Sequence, residues 1–351
     1  MVFPQLKLGS KILLTNLGFF SPFELNFAVT YKCNSRCKTC SIWKVNPRNE
    51  LSLEEIRKFT KNIDFIHWVR LTGGEPFLRN DYVEIVKTLY ENVPDLFMVT
   101  TPTNGLLPDL IFDMVRKILG FFEKKYIITV SLDGTKTIHD RIRGVKKSWD
   151  KSIETYTKLK ELEELFDNFN VFFGYTISPF NVGFFRQTVK EVRKTIPEIR
   201  VNDFHVNLFQ VSDIYYKNED QKVSEEFLKK AKSEIETILK LRENTVNPID
   251  LIETKYLELG EKYLETQQIP INCNVFNLSC FIDPNGNVYP CTIFNRKLGN
   301  LRDGNYDLKK ILQSEKAKAV KKEIVEKRCP QCWTPCEAHQ IILSNIGSIM
   351  V

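Results

Sequence analysis

Over its first two-thirds the 351-residue chain alternates short strand-like runs with amphipathic helical stretches. That alternation constrains the fold more than any other feature. Phe23–Val29, Trp68–Thr72, Leu96–Thr100, Tyr126–Leu132, Val171–Ile177 and Phe204–Phe209 read as strands. Ser52-Leu53-Glu54-Glu55 reads as a capping box opening a helix to about Ile63. Further helices are predicted at Tyr82–Tyr90, Ser148–Leu165 and Phe185–Thr195. Strands and helices at this spacing build right-handed βαβ units and a parallel sheet. In such sheets ligands bind at the C-terminal strand ends. The unusual sequence elements fall at those ends: a cysteine loop, Gly73-Gly74-Glu75-Pro76, Thr103-Asn104-Gly105, Ser131 to Gly134, and Ser178 to Asn181.

The loop after the first strand holds Cys33, Cys37 and Cys40 as C-x3-C-x2-C. Three thiolates on one short loop can hold three irons of a four-iron cluster and leave the fourth open, whereas electron-carrying clusters use four. The other six cysteines, Cys273, Cys280, Cys291, Cys329, Cys332 and Cys336, cluster near the C-terminus, with none between Cys40 and Cys273. A secreted disulfide framework is shorter and more evenly stapled, so this distribution points to metal ligation in a reducing cytoplasm.

The net charge of +6 is spread along the chain and too small to argue for nucleic acid. No apolar run has the length of a membrane span, and no cleavable signal pattern is visible. The apolar stretch Leu6 to Phe23 reads as a helix packed on the domain, or as a face for peripheral membrane contact or a lipid substrate.

The cysteine triplet followed by Gly73-Gly74-Glu75-Pro76 after the second strand resembles the radical S-adenosylmethionine (SAM) superfamily. The resemblance implies an α/β fold, a partial (β/α)6 barrel with a small cysteine-rich SPASM/twitch-like extension carrying a β-hairpin. It implies a [4Fe–4S] cluster on Cys33, Cys37 and Cys40, whose open iron is chelated by SAM. One electron into the sulfonium then yields a 5′-deoxyadenosyl radical that takes hydrogen from substrate. The electron comes from a low-potential donor of flavodoxin or ferredoxin type. Gly73 and Gly74 are expected to let the backbone approach the methionyl group, where a Cβ would obstruct, with Glu75 as a carboxylate partner. Ser131, Asp133, Asn181 and Asn104 match polar positions that contact SAM in similar enzymes. The residue before the third cysteine is usually aromatic in the family; here it is Thr39, with Trp43 or Tyr31 as substitutes.

Phe281 to Tyr289 reads as a hairpin with an Asn-Gly turn, and Gly286-x4-Cys291 matches the SPASM/twitch signature. By resemblance, Cys273, Cys280, Cys291 and Cys336 would close one auxiliary iron–sulfur cluster. Cys329 and Cys332 are then left over, and a second auxiliary cluster would need non-cysteine ligands such as Glu337, His339 or Asp283. A zinc ribbon on C-x2-C pairs is the non-redox alternative.

The expected organisation is an N-terminal segment (1–22), the barrel (23–212), a helical connector (213–269) and the auxiliary-cluster unit (270–351). On the sixth strand His205, Asn207 and Phe209 share a face. His205, with Asp213, Tyr215 and Tyr216 beyond the strand, is a candidate for substrate contact or proton transfer. The segment before Cys33 is too short for a leader-binding domain, so direct maturation of a peptide or protein is expected rather than the ribosomal-peptide branch. A small molecule or lipid headgroup is the other substrate class. A non-enzymatic electron carrier conflicts with the open cluster site.

Overall fold

The computed structural model describes residues 22–345. The apolar N-terminal segment, apart from its last residues, and the membrane contact expected of it lie outside them. Strands β1 (Glu24–Thr30), β2 (Trp68–Gly73), β3 (Met98–Thr103), β4 (Lys125–Ser131), β5 (Phe169–Ile177) and β6 (Phe204–Leu208) pair in sequence order, all parallel. β7 (Ser279–Ile282) joins the other side of β1 in parallel, and β8 (Asn287–Tyr289) and β9 (Gly299–Asn300) follow antiparallel. The order is therefore β6-β5-β4-β3-β2-β1-β7-β8-β9 in a single sheet. The cysteine-rich block extends the sheet that carries the first cysteine loop.

Side chains alternate across each strand. Leu25, Phe27, Val69, Leu71, Ile128, Val130, Val171 and Phe173 enter the main hydrophobic core, toward the crossover helices. The opposite face bounds a cavity and is polar: Arg70, Thr72, Thr100, Thr129, Ser131, Thr176, His205 and Asn207. A closed (β/α)8 barrel fills its interior with branched apolar side chains; these threonines, with Ser131, His205, Asn207 and Arg70, leave this one able to hold a polar ligand.

Two elements differ from expectation. β3 runs on through Pro102 to Thr103. Its ladder to β2 ends at the Arg70–Thr100 pair, so no donor is needed from Pro102 on that side. A helix Lys136–Arg143 stands in a stretch to which the sequence analysis assigned no element; it is short and polar, with only Ile138, His139 and Ile142 buried.

The helices Glu225–Leu241 and Pro248–Thr266, expected only as a connector, pack against each other. Pro248–Thr266 also packs on β6 and on the helix Pro335–Ser344. Together they cover the β6 side of the barrel. No helix among the described residues is long and apolar enough to cross a membrane.

Candidate active site

Cys33, Cys37 and Cys40 face one cavity of about 240 Å³ at the C-terminal strand ends. The unexpected helix positions their loop. Its last carbonyls, which lack partners within a helix, accept from the loop: Ile142 from Lys38 N (2.8 Å) and Arg143 from Arg36 N (2.8 Å). Asn218 Nδ2 clamps the far side of the loop by donating to Thr39 O at 3.0 Å. Burial pushes the Cys33 thiol up to about 11 and the Cys40 thiol to about 12. Such thiols ionise at neutral pH only beside a strong positive centre, which cluster iron would supply. Arg143 Nη1 already donates toward Cys37 Sγ at 3.5 Å.

Gly73 and Gly74 also face this cavity, and their lack of side chains answers a need within the chain as well. A Cβ on Gly73, which has φ +123°, would lie 2.3 Å from Thr30 O. One on Gly74 would lie 2.3 Å from Lys32 O. The glycines let β2 press against the chain leading into the cysteine loop, where Gly74 N donates to Thr30 O (2.7 Å) and Glu75 N to Lys32 O (2.8 Å). The Glu75 carboxylate is spent on the next strand end. It accepts from Thr103 Oγ1 (2.9 Å), Asn104 N (2.7 Å) and Phe77 N (3.3 Å). Burial still pushes it up to about 7 against those donors. Asn104 Nδ2 donates to Asn34 Oδ1 at 2.7 Å and stands 3.9 Å from Cys33 Sγ.

Ser131 and Asp133 line the cavity. Asp133 pairs with Arg143 at 2.6 Å and accepts from Thr176 N at 3.0 Å. Asn181 does not line the cavity, and its amide is fully used. Nδ2 donates to Asp133 O (2.9 Å) and Thr176 O (2.8 Å), and Oδ1 accepts from Ser178 N (2.7 Å) and Ser178 Oγ (2.8 Å). An amide offers two donors and one oxygen, so this side chain ties strand ends together and has nothing left for a ligand. Of the aromatic substitutes, Trp43 lines the cavity beside Thr39, its Nε1 donating to Cys40 O at 3.0 Å. Tyr31 points instead toward Asp283 (3.2 Å) in the cysteine-rich block.

His205, Tyr215 and Tyr216 reach the same cavity. His205 stacks on Phe172 with centroids 4.0 Å apart, and burial brings its imidazole down to about 4. Tyr215 Oη shares a 2.7 Å hydrogen bond with Thr72 Oγ1. Asp213 is not among them. It accepts from Asn295 Nδ2 and lines a second cavity of about 500 Å³. That second cavity shares Leu208, Phe209 and Gln210 with the first and reaches Cys332. Sequence reasoning missed Arg70, Arg143 and Glu253, all on the first cavity. None sits in a motif; Arg143 and Glu253 are recognisable only once the helices Lys136–Arg143 and Pro248–Thr266 are placed, whereas Arg70 stands two residues before Thr72 on the same face of β2.

The C-terminal cysteines group differently from the set inferred by resemblance. Cys273, Cys291, Cys329 and Cys332 line one small buried cavity together with Glu337. Cys280 is buried on β7 opposite Leu25, on neither of these walls. Cys336 opens into the first cavity. It shares a helix face with His339, three residues on, and that face looks at the barrel. Burial raises the thiols of Cys273, to about 12, and of Cys291 and Cys332. Asp283, a suggested ligand, is occupied in the hairpin turn, accepting from Asn285 N and Asn287 N, each at 2.9 Å.

Comparison with known proteins agrees with this architecture. The Radical SAM superfamily model matches residues 27–182, and SPASM, an iron-sulfur cluster-binding domain, matches 273–336. The GTP 3′,8-cyclase of Klebsiella pneumoniae (strain 342) is 38% identical over 90 residues, 24% of this chain and 27% of that protein. The one from Sulfurovum sp. (strain NBC37-1) is 37% identical over 143 residues, 37% of this chain and 42% of that protein. The chain thus spans less than half the length of these curated relatives. Among solved structures, Streptococcus suis SuiB bound to S-adenosylmethionine superposes with a TM-score of 0.60 at 17% identity, covering 88% of this chain and 70% of that one. Native anSMEcpe with bound AdoMet gives 0.58 at 14%, covering 94% and 98%. At these identities the likeness is one of fold. The chain thus carries a domain of the Radical SAM superfamily at residues 27–182, followed at 273–336 by a SPASM iron–sulfur cluster-binding domain.

Proposed function

We propose that this enzyme reductively cleaves SAM at a [4Fe–4S] cluster on Cys33, Cys37 and Cys40 and takes hydrogen from a substrate held in the polar barrel cavity. One observation carries the reading: the three thiols, the Gly73-Gly74 backbone and the polar strand ends from β2 to β6 all open onto one cavity. When bound, the cluster supplies one electron to the sulfonium of SAM and frees a 5′-deoxyadenosyl radical. The chain's own residues hold and orient. Arg143 sets the charge beside Cys37 and fixes Asp133; Trp43 and Ser131 furnish the wall for the nucleoside. Cys273, Cys291, Cys329 and Cys332 are the ligands we assign to one auxiliary cluster. The barrel would span 23–212 and the auxiliary unit 270–351. A low-potential ferredoxin- or flavodoxin-type donor would supply electrons, in the reducing cytoplasm where nine free cysteines persist.

For substrate we favour a peptide or protein side chain. SuiB with precursor peptide SuiA and anSMEcpe with the Cp18Cys peptide share this fold. The second cavity offers a path for a chain whose side group enters the first. A polar small molecule or lipid headgroup is the competing class, favoured by the enclosed polar wall. Anaerobic reconstitution with SAM and dithionite should give 5′-deoxyadenosine, and Cys37→Ala should abolish it. An intact set of clusters with no 5′-deoxyadenosine would sink the radical reading. Deuterium in 5′-deoxyadenosine from a labelled candidate then decides the substrate class.

A further inference from the structure

The cavity contains a thiol that the auxiliary site does not use. Cys336 is 6% exposed, lines the cavity that holds Cys33, Cys37 and Cys40, and lies 4.0 Å from Tyr215 Oη. It is absent from the wall formed by Cys273, Cys291, Cys329 and Cys332. A second observation concerns the same helix face. His339 on that face lies 3.1 Å from Glu253 Oε1, and both line the cavity. Glu253 is 2% exposed, yet its Oε2 has no hydrogen-bond partner. His205 Nε2 on the facing strand has none either. Buried polar atoms in native proteins are paired with protein, water or a ligand. The unpaired oxygen of Glu253 therefore offers an acceptor to a donor group in the cavity, on the wall that carries Cys336.

We propose that Cys336 is a hydrogen-atom donor to a carbon radical in this cavity, and not a cluster ligand. The assignment rests on the radical reading above. In the step, the S–H bond of Cys336 breaks and a C–H bond forms at the substrate carbon, leaving a sulfur-centred radical. One electron from the low-potential iron–sulfur or flavin donor and one proton from water restore the thiol. Each turnover then consumes two electrons, one for SAM and one for Cys336, and the substrate undergoes no net oxidation. Inversion at a carbon centre, or rearrangement without net oxidation, is the reaction class this implies. Glu337, the next residue, lies on the auxiliary-site wall, so the thiol that needs the electron adjoins that site.

The test needs no substrate. The reconstituted full chain is reduced with dithionite in D2O in the presence of SAM alone, and the 5′-deoxyadenosine formed is weighed by mass spectrometry. An exchanged Cys336 S–D should deliver solvent deuterium to most of the product. In Cys336→Ser, whose O–H bond is too strong to donate, that fraction should fall at least fivefold. Iron and sulfide content, and the spectrum of the reduced clusters, should match the wild type. Tyr215→Phe should keep the deuterium, which separates the thiol from its hydroxyl neighbour. Loss of iron in Cys336→Ser would make the residue a ligand and overturn the proposal. So would undiminished deuterium in that variant, or 5′-deoxyadenosine without deuterium from the wild type. Absence of any 5′-deoxyadenosine from the wild type overturns the radical reading, and this inference with it.

Discussion

Arg143 Nη2 and Asp133 Oδ2 lie 2.6 Å apart beneath the cysteine loop, with the aspartate side chain 1% exposed and the arginine 13%. Removing one partner of a buried pair leaves the other charge unsolvated, at about 3–5 kcal/mol. Arg143→Met should lower the urea-unfolding free energy by about 3 kcal/mol, and reconstituted iron should fall because Cys37 loses its donor. Arg143→Lys, which keeps the charge without the fork, should recover part of both. Stability unchanged in Arg143→Met would show that the pair does not hold the loop.

Gly74→Ala places a methyl 2.3 Å from Lys32 O, a backbone atom that cannot step aside. The chain entering the cysteine loop must move. The variant should unfold at lower temperature and retain fewer irons after reconstitution. Iron loss should be confined to the SAM-binding cluster, with the auxiliary signal preserved. Equal loss from both clusters would mean a general folding defect.

Auxiliary ligation separates two sets of cysteines. Cys329→Ala and Cys332→Ala should each remove the auxiliary cluster, about four irons, from the wall they share with Cys273 and Cys291. Cys280→Ala should keep its full iron content, because that thiol lies on β7 away from that wall. Iron analysis of the three variants checks the grouping directly, and iron loss in Cys280→Ala would refute it.

Glu75 gives the apoprotein a pH signature. Burial raises its folded pKa from 4.5 to about 7, so the folded state holds a proton that the unfolded chain has released. Its contribution is complete below pH 4.5 and is lost as pH rises through about 7, on the order of 3 kcal/mol in total. Glu75→Gln should be less stable overall, since it forfeits an acceptor of Thr103 and Asn104. Its stability should nevertheless fall less steeply between those pH values. Parallel slopes for the two proteins, measured by denaturation across pH, would rule out Glu75 as the titrating group.

The strand–helix alternation made the barrel readable, because a two-residue period and a helical period cannot be confused over so many repeats. The Ser52 capping box was equally visible and is made in full, Ser52 Oγ accepting from Glu55 N and the Glu55 carboxylate from Ser52 N. Less legible were groups whose meaning depends on distant partners. Arg143 looked like one more basic residue until its helix carried it beneath Cys37. Asn181 sat at the expected strand end, but its amide is consumed by Ser178, Asp133 and Thr176. Cysteine spacing pointed to metal ligation in the C-terminal block; which thiols share a wall depends on where Cys336 falls on its helix. The glycines of Gly73-Gly74 were recognised for their pattern, whereas the contact that requires them lies within the chain itself.

β7 hydrogen-bonds to the strand that feeds Cys33, and Arg302 beyond it grips Glu55 on the helix Leu53–Thr60 at 2.5 Å. The cysteine loop and the cysteine-rich block therefore hang on one continuous ladder, and shifting one relative to the other requires breaking the pairing of β1 with β7.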